Sequence, residues 1–185
     1  MMIIRKAVDG EDGNVLAFYH DLIDKMKDKE YRPSWTKGVY PTREDIHEAI
    51  YRSELFLAID NGDIVGAFIL NHTQGEGYDK VPWKTVAESD KTAVIHLLAV
   101  DPAQHGKGIG KALLRKAVEV CREAGDEVIR LDTLPRNIPG QRLYEGFGFQ
   151  YCGEIELTYA STGTIPFRMY EYVLRRQYES NRTNP

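Results

Sequence analysis

The chain has 185 residues, 42% of them apolar, with 24 Lys and Arg against 28 Asp and Glu and a formal net charge of -4. That length suits one domain with a sizeable core, expected to span 1–176 with a polar tail over 177–185. The acidic balance excludes a general nucleic-acid binder, which needs a basic face, and no apolar run reaches membrane-span length. The opening residues Met-Met-Ile-Ile-Arg-Lys-Ala lack the order of a signal peptide. Cys121 and Cys152 have no metal-ligand spacing and read as reduced thiols of a cytoplasmic protein.

Residues 2–7 predict a strand. Over 13–27, Val15, Leu16, Tyr19, Leu22, Ile23 and Met26 recur at helical spacing. The connector 31–41 is rich in aromatics, and Thr42 then caps a short helix with Asp45 three residues on. Two apolar runs flank Asn61-Gly62, whose residue types accept the positive φ of a two-residue hairpin turn. Residues 71–91 are polar and too long for an ordinary connection, which predicts a functional or mobile segment. A strand over 93–100 runs through Asp101-Pro102 into Gly106-Lys107-Gly108-Ile109-Gly110 and a helix that stops at Gly125. A strand over 128–133, a short helix near 140–145, and strands over 149–158 and 166–174 complete the chain.

Glycines at alternate positions let successive N–H groups converge, and the following helix adds its own unpaired amides and the positive end of its dipole. The result is a phosphate cradle at a strand-to-helix turn. It is not a P-loop: three residues rather than four separate Gly106 from Gly110-Lys111, and Ala112 stands where a hydroxyl is needed. A dinucleotide fingerprint fits weakly, because Lys111 replaces the third glycine, although Asp132 lies at the distance of its acidic residue.

The order of elements, with Leu98-Ala99-Val100-Asp101-Pro102, the 106–111 turn and Asn137-Ile-Pro-Gly-Gln-Arg-Leu143-Tyr144-Glu-Gly-Phe-Gly148-Phe149, resembles the GNAT superfamily of acetyl-CoA-dependent N-acetyltransferases. The resemblance implies an α+β fold. Its mixed, mostly antiparallel sheet has about seven strands, is splayed at the cofactor site and is flanked by about four helices. It implies that Leu98, Ala99 and Val100 pair with the pantetheine arm of acetyl-CoA. The backbone of His105, Gly106, Lys107, Gly108, Ile109, Gly110 and Lys111 would hold the pyrophosphate. Asn137 would bond the arm, and Tyr144 would bind beside the sulfur and protonate the departing thiolate. Two residues depart from the family pattern: His105 where Gln or Arg is usual, and Gly140 where Ala is usual.

An amine attacks a thioester only when unprotonated, and a lysine-like amine has a pKa near 10.4, so a base is needed. His96, placed by strand alternation on the face of Leu98 and Val100, is the candidate base, directly or through water; its other reading is a packed histidine. His72 and Glu54 are further candidates. Trp35, Tyr40, Tyr78 and Trp83, on the two irregular segments, are expected to wall the amine site. No metal site is expected. The expected function is acetyl transfer to a primary amine of a small molecule, with a protein α-amine or lysine, or a non-catalytic CoA-binding sensor, as alternatives. The expected partners are that acceptor and, as an option, a second copy of the chain, with no nucleic acid and no membrane.

Overall fold

The computed structural model describes residues 1–159 and 161–174; the polar tail expected from Gln177 lies outside them. The elements are β1 (Ile3–Lys6), α1 (Asp12–Met26), α2 (Arg43–Tyr51), β2 (Leu55–Asp60), β3 (Asp63–Asn71), β4 (Thr92–Val100), α3 (Ile109–Ala124), β5 (Val128–Thr133), α4 (Ile138–Phe147), β6 (Gln150–Tyr159) and β7 (Gly163–Val173). Among the described residues one sheet runs in the order β1-β2-β3-β4-β5-β7-β6, antiparallel except where β4 meets β5. This is the mixed α+β architecture expected from the order of elements. No described helix is long and apolar enough to cross a membrane.

Local chemistry explains the boundaries. At α2, the Thr42 hydroxyl oxygen accepts from the Asp45 amide at 3.1 Å while Asp45 accepts from the Thr42 amide at 2.8 Å, which satisfies two backbone donors at the helix start. Asn61 and Gly62 both take positive φ, 51° and 90°, and close the β2–β3 hairpin between Asp60 and Asp63. Gly125 ends α3 in the left-handed conformation at φ 78°.

The sheet buries both faces. On one, α3 lays Leu113, Leu114, Ala117 and Cys121 on Phe68, Ile95 and Leu131, joined by Tyr144 of α4. On the other, α1 and α2 lay Val15, Tyr19, Leu22 and Ile46 on Leu57, Ala67 and Ile69. A third cluster sits between β6–β7 and the segment 71–91, where Tyr78 and Val81 pack on Leu157 and Met169.

That segment is therefore anchored. Arg130 of β5, only 5% exposed, clamps it: its Nη1 donates to Gln74 at 3.0 Å, its Nη2 to the Thr85 carbonyl at 2.9 Å, and its guanidinium lies 4.3 Å from the Trp83 ring centre. The same guanidinium bonds Glu171 of β7 through Nε at 3.0 Å.

Two irregularities position the site. Strands β4 and β5 pair only over Thr92–Val128, Ala93–Ile129 and Val94–Arg130, and then diverge. Opposite β3, the register of β4 shifts between His96 and Ala99, with Leu97 at φ 51°. One extra residue in a strand reverses which face the following side chains occupy. The Leu97 carbonyl is held by the buried Tyr19 hydroxyl at 2.8 Å.

Candidate active site

A cavity of about 640 Å³ opens where β4 and β5 separate and passes through the sheet. On the α3 side it is bordered by Leu98, Val100, Ile109, Leu143 and Tyr144, and on the α1 side by Leu22, Met26, Trp35 and Tyr40. From Ile95 onward the β5-facing edge of β4 has no strand partner among the described residues. Leu98, Ala99 and Val100 line the opening.

At one mouth lies the glycine turn. Gly106 and Gly108 have φ of 82° and 79°, and a Cβ at either would meet nothing, so they are required by backbone conformation alone. Gly110 serves a different purpose. It sits in the first turn of α3, and a Cβ there would lie 2.8 Å from Leu143 Cδ2, so it lets α4 approach α3. The first intrahelical bond is Ala112 N–H to the Gly108 carbonyl, which leaves the amides of Ile109, Gly110 and Lys111 for an anion. His105, Gly106, Gly108, Ile109, Gly110 and Lys111 border the cavity; Lys107 does not, and its ammonium bonds Gln104 at 2.7 Å. An amide cradle beside an open strand edge suits a ligand that joins a phosphate group to an extended amide-bearing arm.

Asn137 borders the cavity but is largely engaged: it accepts from the Gly140 amide at 3.1 Å as the cap of α4 and donates to Thr133 at 2.8 Å. A Cβ at residue 140 would collide with this carboxamide, which accounts for glycine there. Tyr144 is buried, its hydroxyl hydrogen-bonds no described residue, and burial holds the phenol above its ordinary range.

Several expected residues fall elsewhere than strand alternation and loop position implied. Because of the extra residue at Leu97, His96 shares a face with Ala99 and Ile69, not with Leu98 and Val100. It borders the cavity, with Nε2 3.0 Å from Asn71 Oδ1, and burial pushes the imidazole down to about 4. A neutral ring of such low basicity is a poor acceptor for a proton from an alkylamine. Asn71 in turn donates to Glu54 at 2.9 Å, and His72 pairs with Asp126 at 2.7 Å; neither Glu54 nor His72 reaches the cavity.

Trp35 and Tyr40 line the cavity, and burial, with Asp45 and Asp132 adding, pushes the Tyr40 phenol up to about 12. Tyr78 and Trp83 do not line it. They pack 5.5 Å apart by ring centres, and the Trp83 indole donates to the Tyr78 carbonyl at 2.7 Å. Arg130 holds Trp83 down, so these rings support the cavity from behind. The residues that take the expected places are Tyr31, Tyr159 and Phe167, together with Asp132. A carboxylate in the apolar strand Val-Ile-Arg-Leu-Asp-Thr was the available signal for Asp132.

The family model described as Acetyltransferase (GNAT) family matches residues 20–149. Streptothricin acetyltransferase of Streptomyces lavendulae is 34% identical over 36% of this chain and 35% of its own length. N-alpha-acetyltransferase RimI of Mycobacterium tuberculosis is 33% identical over 40% of this chain and 46% of its own. The alignments thus span less than half of these curated relatives. Among solved structures, a GNAT family acetyltransferase from Streptococcus agalactiae superposes with a TM-score of 0.78 at 21% identity, covering 95% of this chain and 96% of that one. The Salmonella typhimurium yncA structure, which holds acetyl-CoA, superposes with a TM-score of 0.69 at 15% identity, covering 98% of each chain. With the matched model spanning most of the chain and the splayed sheet beside its glycine cradle, this protein belongs to the GNAT acetyltransferase family.

Proposed function

We propose that this protein transfers acetyl from acetyl-CoA to the primary amine of a small molecule. The observation that carries the reading is the cavity through the sheet, with an anion cradle at one mouth and an aromatic enclosure at the other. The connector that supplies Tyr31, Trp35 and Tyr40 is tied to the β5–α4 turn by Arg136, whose Nε donates to the Arg32 carbonyl at 3.1 Å. A mouth bridged in this way favours a compact acceptor over an extended peptide.

When bound, acetyl-CoA supplies an acyl group activated as a thioester. The amides of Ile109, Gly110 and Lys111 would hold its pyrophosphate, and the free edge of Leu98, Ala99 and Val100 would pair with the pantetheine amides. The remaining N–H of the Asn137 carboxamide is available to the same arm. A backbone N–H near Leu98 would steady the oxyanion. Tyr144 would give its proton to the leaving sulfur; burial raises the phenol, and because it penalises the departing thiolate too, the two effects oppose one another in the proton transfer.

The test is thiol release from acetyl-CoA across a panel of small amines and an alanine-initiated hexapeptide. Faster release with a small amine than with the peptide is expected. Preference for the peptide would transfer the assignment to a protein N-acetyltransferase, and acetyl-CoA binding without release would leave a sensor.

A further inference from the structure

Asp132 is a cavity-lining carboxylate with no cation paired to it among the described residues. It lies on β5, where Leu131 faces the α3 side with Tyr144 and Asp132 faces the opposite side. The Tyr78 and Tyr159 hydroxyls both donate to its Oδ2, at 2.7 and 2.9 Å. Its Oδ1 hydrogen-bonds no described residue, and no ion pair among the described residues includes it. Tyr40 from the connector and Tyr144 from α4 lie within its electrostatic reach, and Met169 is paired opposite it on β7. A buried carboxylate is costly unless paired. Two hydrogen bonds to one oxygen fix its orientation and leave the other oxygen for a cation brought by a ligand.

We propose that Asp132 binds the ammonium group of the acceptor and accepts its proton, which makes the acceptor a primary amine that enters as a cation between aromatic walls. This rests on the reading of the cavity as an acetyl-transfer site. Carboxylate and aromatic faces attract the same charge, so Tyr40, Trp35 and Asp132 together select an ammonium over a neutral alcohol of equal size. Burial also holds the Asp132 carboxyl above its ordinary range, against the two tyrosine bonds that favour the anion, and so makes it a stronger base than a surface aspartate.

The protons balance. The ammonium nitrogen loses two in forming the amide. The first goes to Asp132 and from there to bulk water. The second replaces the proton that Tyr144 gives to the sulfur. One C–N bond forms, one C–S bond breaks, and one proton is released overall.

Asp132→Asn tests this, because the amide oxygen can still accept from both tyrosines while the charge is lost. Phenethylamine, 1,4-diaminobutane and the hexapeptide are the probes. The variant is expected to bind acetyl-CoA within about threefold of the wild type by calorimetry. On whichever acceptor the wild type uses, its turnover should fall by about 10²–10⁴-fold. Phenethylamine titrated into the CoA-bound variant should release no binding heat where the wild type does. Tyr159→Phe is the second variant: it removes one donor that favours the anion, so the acidic limb of its kcat/KM profile should move to higher pH. Unchanged turnover in Asp132→Asn overturns the proposal and leaves the acetyl-transfer reading intact, as does an unmoved limb in Tyr159→Phe should the first variant not fold. A wild type that binds acetyl-CoA but acetylates none of the probes overturns both.

Discussion

Removing Arg130 should be one of the most destabilising single changes in this protein. Arg130→Met keeps the aliphatic bulk but deletes three hydrogen bonds, to Glu171, Gln74 and the Thr85 carbonyl. The larger effect falls on the partner. The Glu171 side chain is 1% exposed and its Oε1 already lacks a hydrogen bond, so the variant leaves a buried carboxylate with its Oε2 bond gone as well. Breaking one side of a buried pair costs about 3–5 kcal/mol. With a urea m-value of about 2 kcal/mol/M for a chain this size, the unfolding midpoint should drop by roughly 1.5–2.5 M. Equilibrium urea unfolding followed by tryptophan emission measures this directly, since Trp83 stacks on the deleted group. The double variant Arg130→Met/Glu171→Met should recover most of the loss, because apolar residues of similar volume can replace such a pair. A single variant within about 1 kcal/mol of wild type, or a double variant no better than the single, would refute the reading that the unpaired Glu171 carboxylate dominates the cost.

Tyr144→Phe keeps the ring packing and removes the acid, so turnover should fall by about 10²–10⁴-fold with acetyl-CoA affinity little changed; single-turnover rates and calorimetry on the same variant check it. Gly108→Val places a branched side chain at φ 79° and should weaken acetyl-CoA binding severely, whereas Lys107→Ala, whose ammonium turns to Gln104, should change it little. Titration of His96 should make the fold acid-sensitive. The native imidazole sits at about 4 and the unfolded one near 6.5, so the unfolded state takes up the proton first and stability falls as pH drops through that window. The loss should approach about 3 kcal/mol by pH 4, and His96→Gln should flatten that part of a stability-against-pH curve.

The fold was legible wherever local chemistry decides it. The Thr42 capping box, the Asn61-Gly62 hairpin, the Gly125 stop and the order of helices and strands all follow from residues within a few positions of one another. The cradle was legible for the same reason. What was not legible depends on partners distant in sequence. Nothing near Leu97 announces an extra residue: neither glycine nor proline marks it, and its carbonyl is satisfied by Tyr19 from another element. That one irregularity placed His96 on the face opposite the one alternation gives. Tyr78 and Trp83 looked like free aromatics on a polar segment because Arg130, which seats Trp83, lies on β5. The role of Gly110 likewise needs Leu143 of α4 to be seen.

The extra residue at Leu97 also separates two kinds of tolerance in β4. Replacing a side chain there is a matter of volume and of a strained φ, both of which neighbouring groups can partly absorb. Losing or gaining a residue cannot be absorbed, because every position from 98 to 100 would exchange faces and present the wrong side to the cavity. In this short stretch the count of residues, more than their identity, keeps the ligand-facing wall in place.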